Sequence, residues 1–346
     1  MTEYPSLSIV IPTLNAENDL ERCLTAIDSQ DYPSDRIEVL VLDGGSTDAT
    51  REVAEAHGCR VSVDNDPSHR GTRLGTGDAR MALGVTLARN EIVAFIMSDN
   101  WMPDDHWLEQ MVRPLADDQE IVGSFTLRYR YRPEGSLLER YFALFGVGDP
   151  VAFYLNKRDR ISWAEDTLPY HGDIDDRGAY YHVRFAADGL PPIGCNGSLI
   201  RRELLLQSNM TPDRFGHSDT VQDLVDLGHN AFAVVKNDIT HAYQGSMFNE
   251  IRKRLLYFRL FGEEGAPRRH RMVDWRRPAD VRGVALYLLY ALTFVKPTWD
   301  AACGFRRQCD VAWFLHPFFC FCMTFAYGYA VTLRAAHRVQ RARSRQ

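Results

Sequence analysis

The chain has 346 residues, enough for one large α/β domain of roughly 200–250 residues with a substantial core and a smaller appendage. Its formal charge of −6 hides an asymmetry: residues 251–346 hold 18 Lys and Arg against 6 Asp and Glu, while residues 1–250 hold 22 against 40. An acidic first part joined to a basic, aromatic-rich tail argues against a nucleic-acid partner and for a tail that meets anionic lipid headgroups.

Leu7 to Pro12 reads as a strand running into Thr13-Leu14-Asn15, and Asn18 to Ile27 has apolar residues at helical spacing, closed by Tyr32-Pro33. Glu38 to Leu42 is a second strand ending on Asp43-Gly44-Gly45-Ser46-Thr47-Asp48. Ser46 or Thr47 can cap a helix through Ala56, Gly58 ends it, and Cys59 to Val63 makes a third strand. This β-α-β-α-β order favours parallel pairing, so residues 1–63 predict half of a Rossmann-like sheet. Gly77 to Ala88 predicts a helix, Ile92 to Met97 a buried strand ending on Ser98-Asp99-Asn100, and Asp104-Asp105 the start of a helix carrying Trp107, Leu108, Met111 and Val112 inward. Phe125 to Tyr131 alternates as an antiparallel edge strand does, and the sequence through Ala187 is aromatic and loop-rich. Gly194 to Ile200 returns to a strand, Asp219 to Leu227 predicts a short helix stopped by Gly228, and Ala231 to Lys236 another strand.

Beyond Glu250 the chain turns basic and then apolar. Val284 to Val295 is too short to span a bilayer, whereas Val311 to Leu333 is about long enough, with His316-Pro317 placed to kink it. Arg306-Arg307 precede it and Arg334, Arg338, Arg341, Arg343 and Arg345 follow, so charge gives no inside and outside. The expectation is helices lying in or dipping into one leaflet. Residues 1–250 should form one α/β domain, with 121–192 as a variable segment, and 251–346 a membrane-associated helical segment.

Three acidic or amide clusters sit at strand ends, and in open α/β sheets ligands bind beyond the carboxyl ends of the strands. Ser8-Ile9-Val10-Ile11-Pro12-Thr13-Leu14-Asn15 and Val41-Leu42-Asp43-Gly44-Gly45-Ser46-Thr47-Asp48 resemble the opening of the family 2 inverting glycosyltransferases, which use nucleotide sugars. The resemblance is strongest in residues 7–110 and weaker from 190 to 260. It implies a GT-A fold, a Rossmann-like mixed sheet flanked by helices, with Pro12, Thr13, Asn15, Glu17 and Asp43 seating the nucleotide and Asp43 facing the base. Arg73 and Arg80 fall where the family brings basic side chains toward the diphosphate. It also implies a divalent metal, Mn²⁺ or Mg²⁺, on an Asp-x-Asp motif. Here Met97 replaces the first Asp, leaving Asp99 as the ligand candidate, and His241 stands where many relatives carry a His near the phosphates or metal. Gly194, Asn196 and Gly197 resemble the family's acceptor-side turn. Asp219, in His217-Ser218-Asp219-Thr220, is expected as the catalytic base, though an Asp there also suits a helix N-cap; His217 stays unassigned. Arg252 and Arg254, with Lys253 between them, can meet the diphosphate or a lipid phosphate.

The resulting expectation is an inverting transferase that moves a sugar from a nucleotide-diphosphate donor, UDP by family habit, to a membrane-linked or polysaccharide acceptor. Its alternative is a catalytically degenerate nucleotide-binding scaffold of the same fold, which Met97 supports. Seven Cys without a C-x-x-C pair give no disulfide framework or zinc spacing, and Met1-Thr2-Glu3-Tyr4-Pro5 does not read as a signal peptide. Both point to the cytoplasmic face of a membrane.

Overall fold

A computed structural model describes residues 4–64, 78–165, 167–187, 189–210, 216–243, 245–263 and 269–343. Its strands are β1 (Leu7–Thr13), β2 (Ile37–Asp43), β3 (Arg60–Val63), β4 (Ile92–Phe95), β5 (Asn100–Trp101), β6 (Gly123–Tyr129), β7 (Gly172–Asp176), β8 (Tyr180–Phe185), β9 (Ser198–Arg201) and β10 (Ala231–His241). The helices of the first half are α1 (Glu17–Asp28), α2 (Thr50–Ala56), α3 (Asp78–Leu87), α4 (Trp107–Asp117), α5 (Leu137–Phe145) and α6 (Pro150–Tyr154). Those of the second half are α7 (Arg202–Leu205), α8 (His217–Asp226), α9 (Met247–Glu263), α10 (Pro278–Thr293), α11 (Val295–Arg307) and α12 (Leu315–Arg343).

The strands form one mixed sheet in the order β3-β2-β1-β4-β9-β6-β10-β8-β7, with the short β5 pairing to β10. β1 runs parallel to both β2 and β4, as the β-α-β-α-β reading requires. All seven residues of β1 are buried, which is why Leu7 to Thr13 is an almost unbroken apolar run: helices cover both faces of this part of the sheet. One covering stripe is Leu20, Cys23, Leu24 and Ile27 on α1, spaced at the helical period.

β6 is not the edge strand that its alternation suggests. It lies inside the sheet, parallel to β10 and antiparallel to β9. Gly123 to Thr126 and Tyr129 are buried, and only Leu127 and Arg128 emerge part-way from the core, so the alternation does not mark a sheet edge. The segment that follows is also more ordered than its loop-rich composition implies. Ser136 caps α5 by accepting the Glu139 N–H at 3.1 Å, and Asp149 caps α6 by accepting the Val151 N–H at 2.9 Å, with Pro150 at the first helical position.

α5 and α6 share a core with the C-terminal helices: Tyr141, Phe145 and Phe153 pack with Ala301, Trp313, Phe319 and Met323. His316 is enclosed there, between the hydroxyls of Tyr141 (2.8 Å) and Tyr154 (3.0 Å), with its ring stacked 4.0 Å from Phe145. Burial pushes its pKa down to about 3 and keeps the imidazole neutral. Pro317 is the third residue of α12, within the turn whose N–H groups lack helical acceptors, so it opens the helix where the sequence suggested a kink. α10 and α11 meet at 81°, across Phe294 in the left-handed conformation (φ 61°).

Two buried acids clasp this arrangement. Asp310 accepts from Tyr131 Oη (2.5 Å), Arg140 Nη1 (2.8 Å) and the Ala312 N–H (2.7 Å), and Asp280 pairs with Lys157 Nζ at 2.7 Å. Burial opposes ionisation of Asp310, but the Tyr131 hydroxyl, the Ala312 amide and Arg140 outweigh it and hold its carboxyl below the usual range. Such a depressed carboxyl stabilises the fold above its unfolded pKa of about 4, and the contribution is lost as pH falls through the folded value. Asp310→Asn should therefore cost about 3 kcal/mol at pH 7 in urea unfolding, with the gap to wild type narrowing below about pH 4. An undiminished gap in acid would show that charge is not what Asp310 supplies.

Candidate active site

The sheet topology brings the carboxyl ends of β1, β2, β4, β6 and β10 to one edge, together with the start of the antiparallel β9. Thr13, Asp43, the turn after Phe95, Tyr129, His241 and the Gly194–Gly197 turn are therefore neighbours along that edge.

The first two loops are stitched together. The Gly44 N–H donates to Thr13 O (2.9 Å), the Asn15 N–H to Ser46 Oγ (2.8 Å), the Thr47 N–H to Asn15 Oδ1 (2.9 Å) and the Ala49 N–H to Glu17 Oε2 (3.0 Å). Asn15 holds φ 49°, a left-handed conformation that Asn tolerates. Thus Asn15 and Glu17 spend their side chains on the β2 loop, and Pro12 is the buried last step of β1 before Thr13. Asp43 is fully buried, and its carboxylate accepts from the Gly45 and Ser46 N–H groups and the Ser46 hydroxyl, shaping the turn from within. Ser46 is thereby diverted from capping α2, whose N-cap is Ala49. Thr13 Oγ1 is enclosed with no hydrogen-bond partner among the described residues. Arg80 lies over Gly44: a Cβ on that glycine would stand 2.5 Å from Arg80 Nη1, so a larger residue there would displace the guanidinium. Arg73 lies outside the described residues.

The metal candidates meet through strand pairing. β5 and the end of β10 are antiparallel with His241 opposite Asn100, and the Ala242 N–H donates to Asp99 O at 2.9 Å. His241 Nε2 then stands 3.4 Å from Asp99 Oδ2. Burial opposes ionisation of Asp99, yet His241 and, less strongly, Lys253 hold its carboxyl below the usual range. Asp99 Oδ1 and Asn100 Nδ2 are enclosed without hydrogen-bond partners. Met97 is half-buried and rests against the margin of the apolar cluster that includes Val10, Leu42 and Val93, a contact that suits its thioether. No third His, Cys, Asp or Glu joins Asp99 and His241 among the described residues. An anionic donor, with its own oxygens, would have to complete an ion's shell here, as is usual for Mg²⁺-type sites.

The Gly194–Gly197 turn is tied to both flanks. Gly197, at φ 75°, donates its N–H to Phe95 O (3.0 Å), and Ser198 Oγ donates to Gly194 O (2.8 Å). Asn196 Nδ2 donates to Tyr129 Oη at 3.1 Å, and the Tyr129 ring lies 5.7 Å from the His241 ring. Arg160 Nη2 donates to Asn196 O at 2.8 Å while Nη1 binds Asp159 Oδ2 at 3.0 Å. Nothing in the sequence assigns Tyr129, Asp159 or Arg160 to the site; the one signal for the last two is the charged run Lys157-Arg158-Asp159-Arg160 inside an aromatic segment.

Asp219 is in the first turn of α8, whose N-cap is Gly216, so the capping alternative falls. The residue is buried, and its Oδ1 accepts the N–H of His270 at 2.8 Å. On α9, the buried Glu250 stands 3.5 Å from Lys253 Nζ and 3.6 Å from Arg254 Nη2. Arg254 also donates to Gly148 O (3.4 Å), turning it toward α6, while Arg252 is exposed. Of the three basic residues it is Lys253, in the middle, whose charge reaches Asp99.

Residues 8–175 match the family described as Glycosyl transferase family 2. The chain is 32% identical over 193 residues to the glycosyltransferase AglE of Haloferax volcanii, covering 53% of this chain and 62% of that protein. It is 33% identical over 122 residues to a putative glycosyltransferase, EpsH, of Bacillus subtilis, covering 35% of this chain and 33% of that one. The chain thus spans less than two thirds of the length of these relatives. Among solved structures, the mannosyltransferase PcManGT of Pyrobaculum calidifontis superposes with a TM-score of 0.53 at 17% identity, over 95% of this chain and 88% of that one. The fold is GT-A.

A Cβ on Gly197 would lie 2.6 Å from Ile239 Cδ1 and 3.1 Å from Trp107 Cζ2, in addition to the left-handed backbone. Gly197→Ala should lower stability by about 2–3 kcal/mol, read as a drop in the urea midpoint at constant slope. A wild-type midpoint would show that the turn is not held as described.

Proposed function

Because residues 8–175 belong to glycosyl transferase family 2, we propose that the protein is a sugar transferase using a nucleotide-diphosphate donor, acting by single displacement with inversion on a membrane-linked or glycan acceptor. The observation that carries this reading is the convergence at one sheet edge of the stitched β1 and β2 loops, Arg80 over Gly44, and the Asp99–His241 pair. Thr13 Oγ1 and the backbone around Asp43 offer polar groups to a nucleoside, and Arg80 offers a fork-shaped cation to a phosphate.

Asp99 and His241 fit a divalent ion: one carboxylate with an unused enclosed oxygen, and one imidazole beside it. When bound, such an ion supplies Lewis-acid stabilisation of the departing diphosphate. The chain's own contribution is to hold Asp99 ionised and to fix His241 by the β5–β10 pairing. Mn²⁺ is the ion to try first, being the one named with PcManGT. In calorimetry with UDP and with GDP, binding should require Mn²⁺, and Asp99→Ala should weaken it at least about tenfold. Binding indifferent to both Mn²⁺ and Asp99 would remove the metal from this reading. Binding without any release of nucleotide from a sugar donor would instead favour the degenerate scaffold.

The membrane part of the proposal rests on the outer face of the C-terminal helices. Leu289, Leu292, Val295 and Trp299 on α10 and α11, and Phe318, Phe325 and Tyr329 on α12, are exposed, while the opposite side of α12 is buried against the domain. α12 is thus half inside the protein, a geometry suited to lying in an interface and not to crossing it. The chain's surplus of Arg beyond residue 281 suits anionic headgroups. The full chain should float with phosphatidylglycerol vesicles, and Trp299→Glu combined with Phe325→Glu should release it while leaving the circular dichroism spectrum unchanged. Flotation unaffected by both charges would place the lipid contact elsewhere.

A further inference from the structure

Four consecutive charged residues, Lys157, Arg158, Asp159 and Arg160, are all buried. Charged side chains are rarely enclosed unless paired, and each of these has a partner: Lys157 takes Asp280, Arg158 takes Glu165, and Arg160 Nη1 takes Asp159 Oδ2 at 3.0 Å. Arg160 has no exposed surface, and its guanidinium lies 5.4 Å from the Phe125 ring centre and 5.2 Å from that of Tyr129. Tyr170, edge-on to Phe125, closes the seat by donating its hydroxyl to Asp159 O at 3.0 Å. A seat walled by three aromatic rings suits apolar side chains, and an ion pair placed there does not repay its desolvation through Coulomb energy alone. What the pair adds is an arm: Arg160 Nη2 donates out of the seat to Asn196 O at 2.8 Å.

That arm starts from a fixed point. The Ile161 N–H donates to Leu127 O at 3.0 Å, which fastens the backbone after Arg160 to β6. Gly146, at φ 66°, brings the end of α5 against the same stretch, where a Cβ would stand 2.8 Å from Arg160 O and 2.7 Å from Ile161 O. Asn196 is caught at its other end by Tyr129, whose hydroxyl accepts from Nδ2 at 3.1 Å and whose ring lies 5.7 Å from that of His241. One residue of the turn is thus held by its main chain through Arg160 and by its side chain through Tyr129.

The Gly194–Gly197 turn leads into β9, which lies on the far side of β4 from β1 and β2. Resting on the family 2 transferase reading, we propose that Arg160 and Tyr129 are positioning residues of the transfer step, holding the Gly194–Gly197 turn against the Asp99–His241 pair so that the donor's sugar is fixed between them. A donor whose nucleoside sits on the β1 and β2 loops, with its phosphates at Asp99 after β4, directs its sugar across the sheet toward Asn196. Asp159 orients the guanidinium, and the two residues act on the sugar's placement without touching the nucleotide's seat. A misplacement of about 1 Å at a reacting group can cost about 100-fold in rate, so the arm bears on turnover more than on binding.

The test follows nucleotide diphosphate release by the full chain with Mn²⁺, using UDP-glucose, UDP-N-acetylglucosamine and GDP-mannose as donors and water as acceptor. Calorimetry with UDP and GDP gives affinity and stoichiometry on the same samples, so a loss of folded protein shows as a loss of sites. Arg160→Lys keeps a cation beside Asp159 but lacks the fork that spans the carboxylate and the Asn196 carbonyl. It should lower kcat about tenfold or more, with donor KM, nucleotide affinity and stoichiometry within about twofold of wild type. Asp159→Leu combined with Arg160→Met fills the seat with apolar groups; it should keep the urea midpoint near wild type and lose as much kcat. Tyr129→Phe, lacking only the hydroxyl, should lower kcat about fivefold with the same unchanged KM. Wild-type kcat in Tyr129→Phe, or in either Arg160 variant that folds, overturns the assignment. A kcat that falls only in proportion to lost binding sites makes these residues structural and overturns it as well. A wild type that binds or releases no nucleotide overturns the transferase reading instead, and is told apart because it fails before any variant is compared.

Discussion

The site depends on a pairing of two residues. Asn100 and Trp101 run antiparallel to Thr240 and His241, and this short ladder is what sets the imidazole of His241 beside the carboxylate of Asp99, although 141 positions separate them in the chain. The ladder exists because β10 is longer than its apolar part. After Val235 the strand is bulged against β6, and past the bulge it continues to His241, beyond the core and over the sheet edge. Bulges re-aim strands near functional sites, and here the bulge carries β10 out to meet β5. The turn from Met97 to Asn100 is held from within, by Asn100 N to Met97 O (2.9 Å) and Met97 N to Asn100 Oδ1 (3.2 Å). Asp99 is thus presented on a closed turn, with the half-buried Met97 resting against the apolar cluster beside it.

The sequence made the parallel half of the fold legible because its signals are local. Leu7 to Thr13 and Ile37 to Asp43 are continuous apolar runs, each ending on a polar turn, and the helix between them has a clean stripe at Leu20, Cys23, Leu24 and Ile27. Asp99, His241, Asn196 and Arg80 are residues that the family resemblance implies, and all lie on the one sheet edge or against its loops. What sequence could not show is direction. Asn15, Glu17 and Asp43 are at the edge, but their side chains serve the loops, a fact that only the hydrogen bonds reveal. Asp219 and His217 are two residues apart on one helix, and which of them looks at the turn depends on helical phase against distant partners. Nothing in the sequence singles out Asp159 and Arg160, because burial of a pair is a property of the tertiary fold, invisible to composition.

The second region poorly read, residues 132–165, is also where the two parts of the chain merge. Its helices carry ordinary N-caps, but its aromatic residues face the C-terminal helices and not the sheet, so no amphipathic pattern against a β layer could be recognised. Polar contacts reinforce the join: Tyr327 donates to Asp149, Tyr154 Oη to Asp300 Oδ2 (3.0 Å), and Lys157 to Asp280. The basic tail is therefore no loose appendage. It is packed on α5 and α6 through a core of its own, and the acids that hold it are buried.

This merging links the apolar outer face to the chemistry by a very short path. Leu155 packs beside Tyr287 and Ala291 of α10, Lys157 pairs with Asp280 at the start of the same helix, and Asp159 and Arg160 reach the turn at Asn196. Five residue steps separate Leu155 from Arg160, so the α10 contact and the turn are bridged by at most about 18 Å of chain. Arg158, between them, is buried over the Phe153 ring and pairs with Glu165, which leaves the segment no slack. A displacement of α10, whose outer face carries Leu288, Leu289 and Leu292, would have to move Lys157 or break a buried pair. Breaking such a pair costs several kcal/mol, so the segment transmits position and does not absorb it. The position of the Gly194–Gly197 turn is accordingly set from two directions: by the sheet through Phe95 and Tyr129, and by the C-terminal helices through residues 155–160.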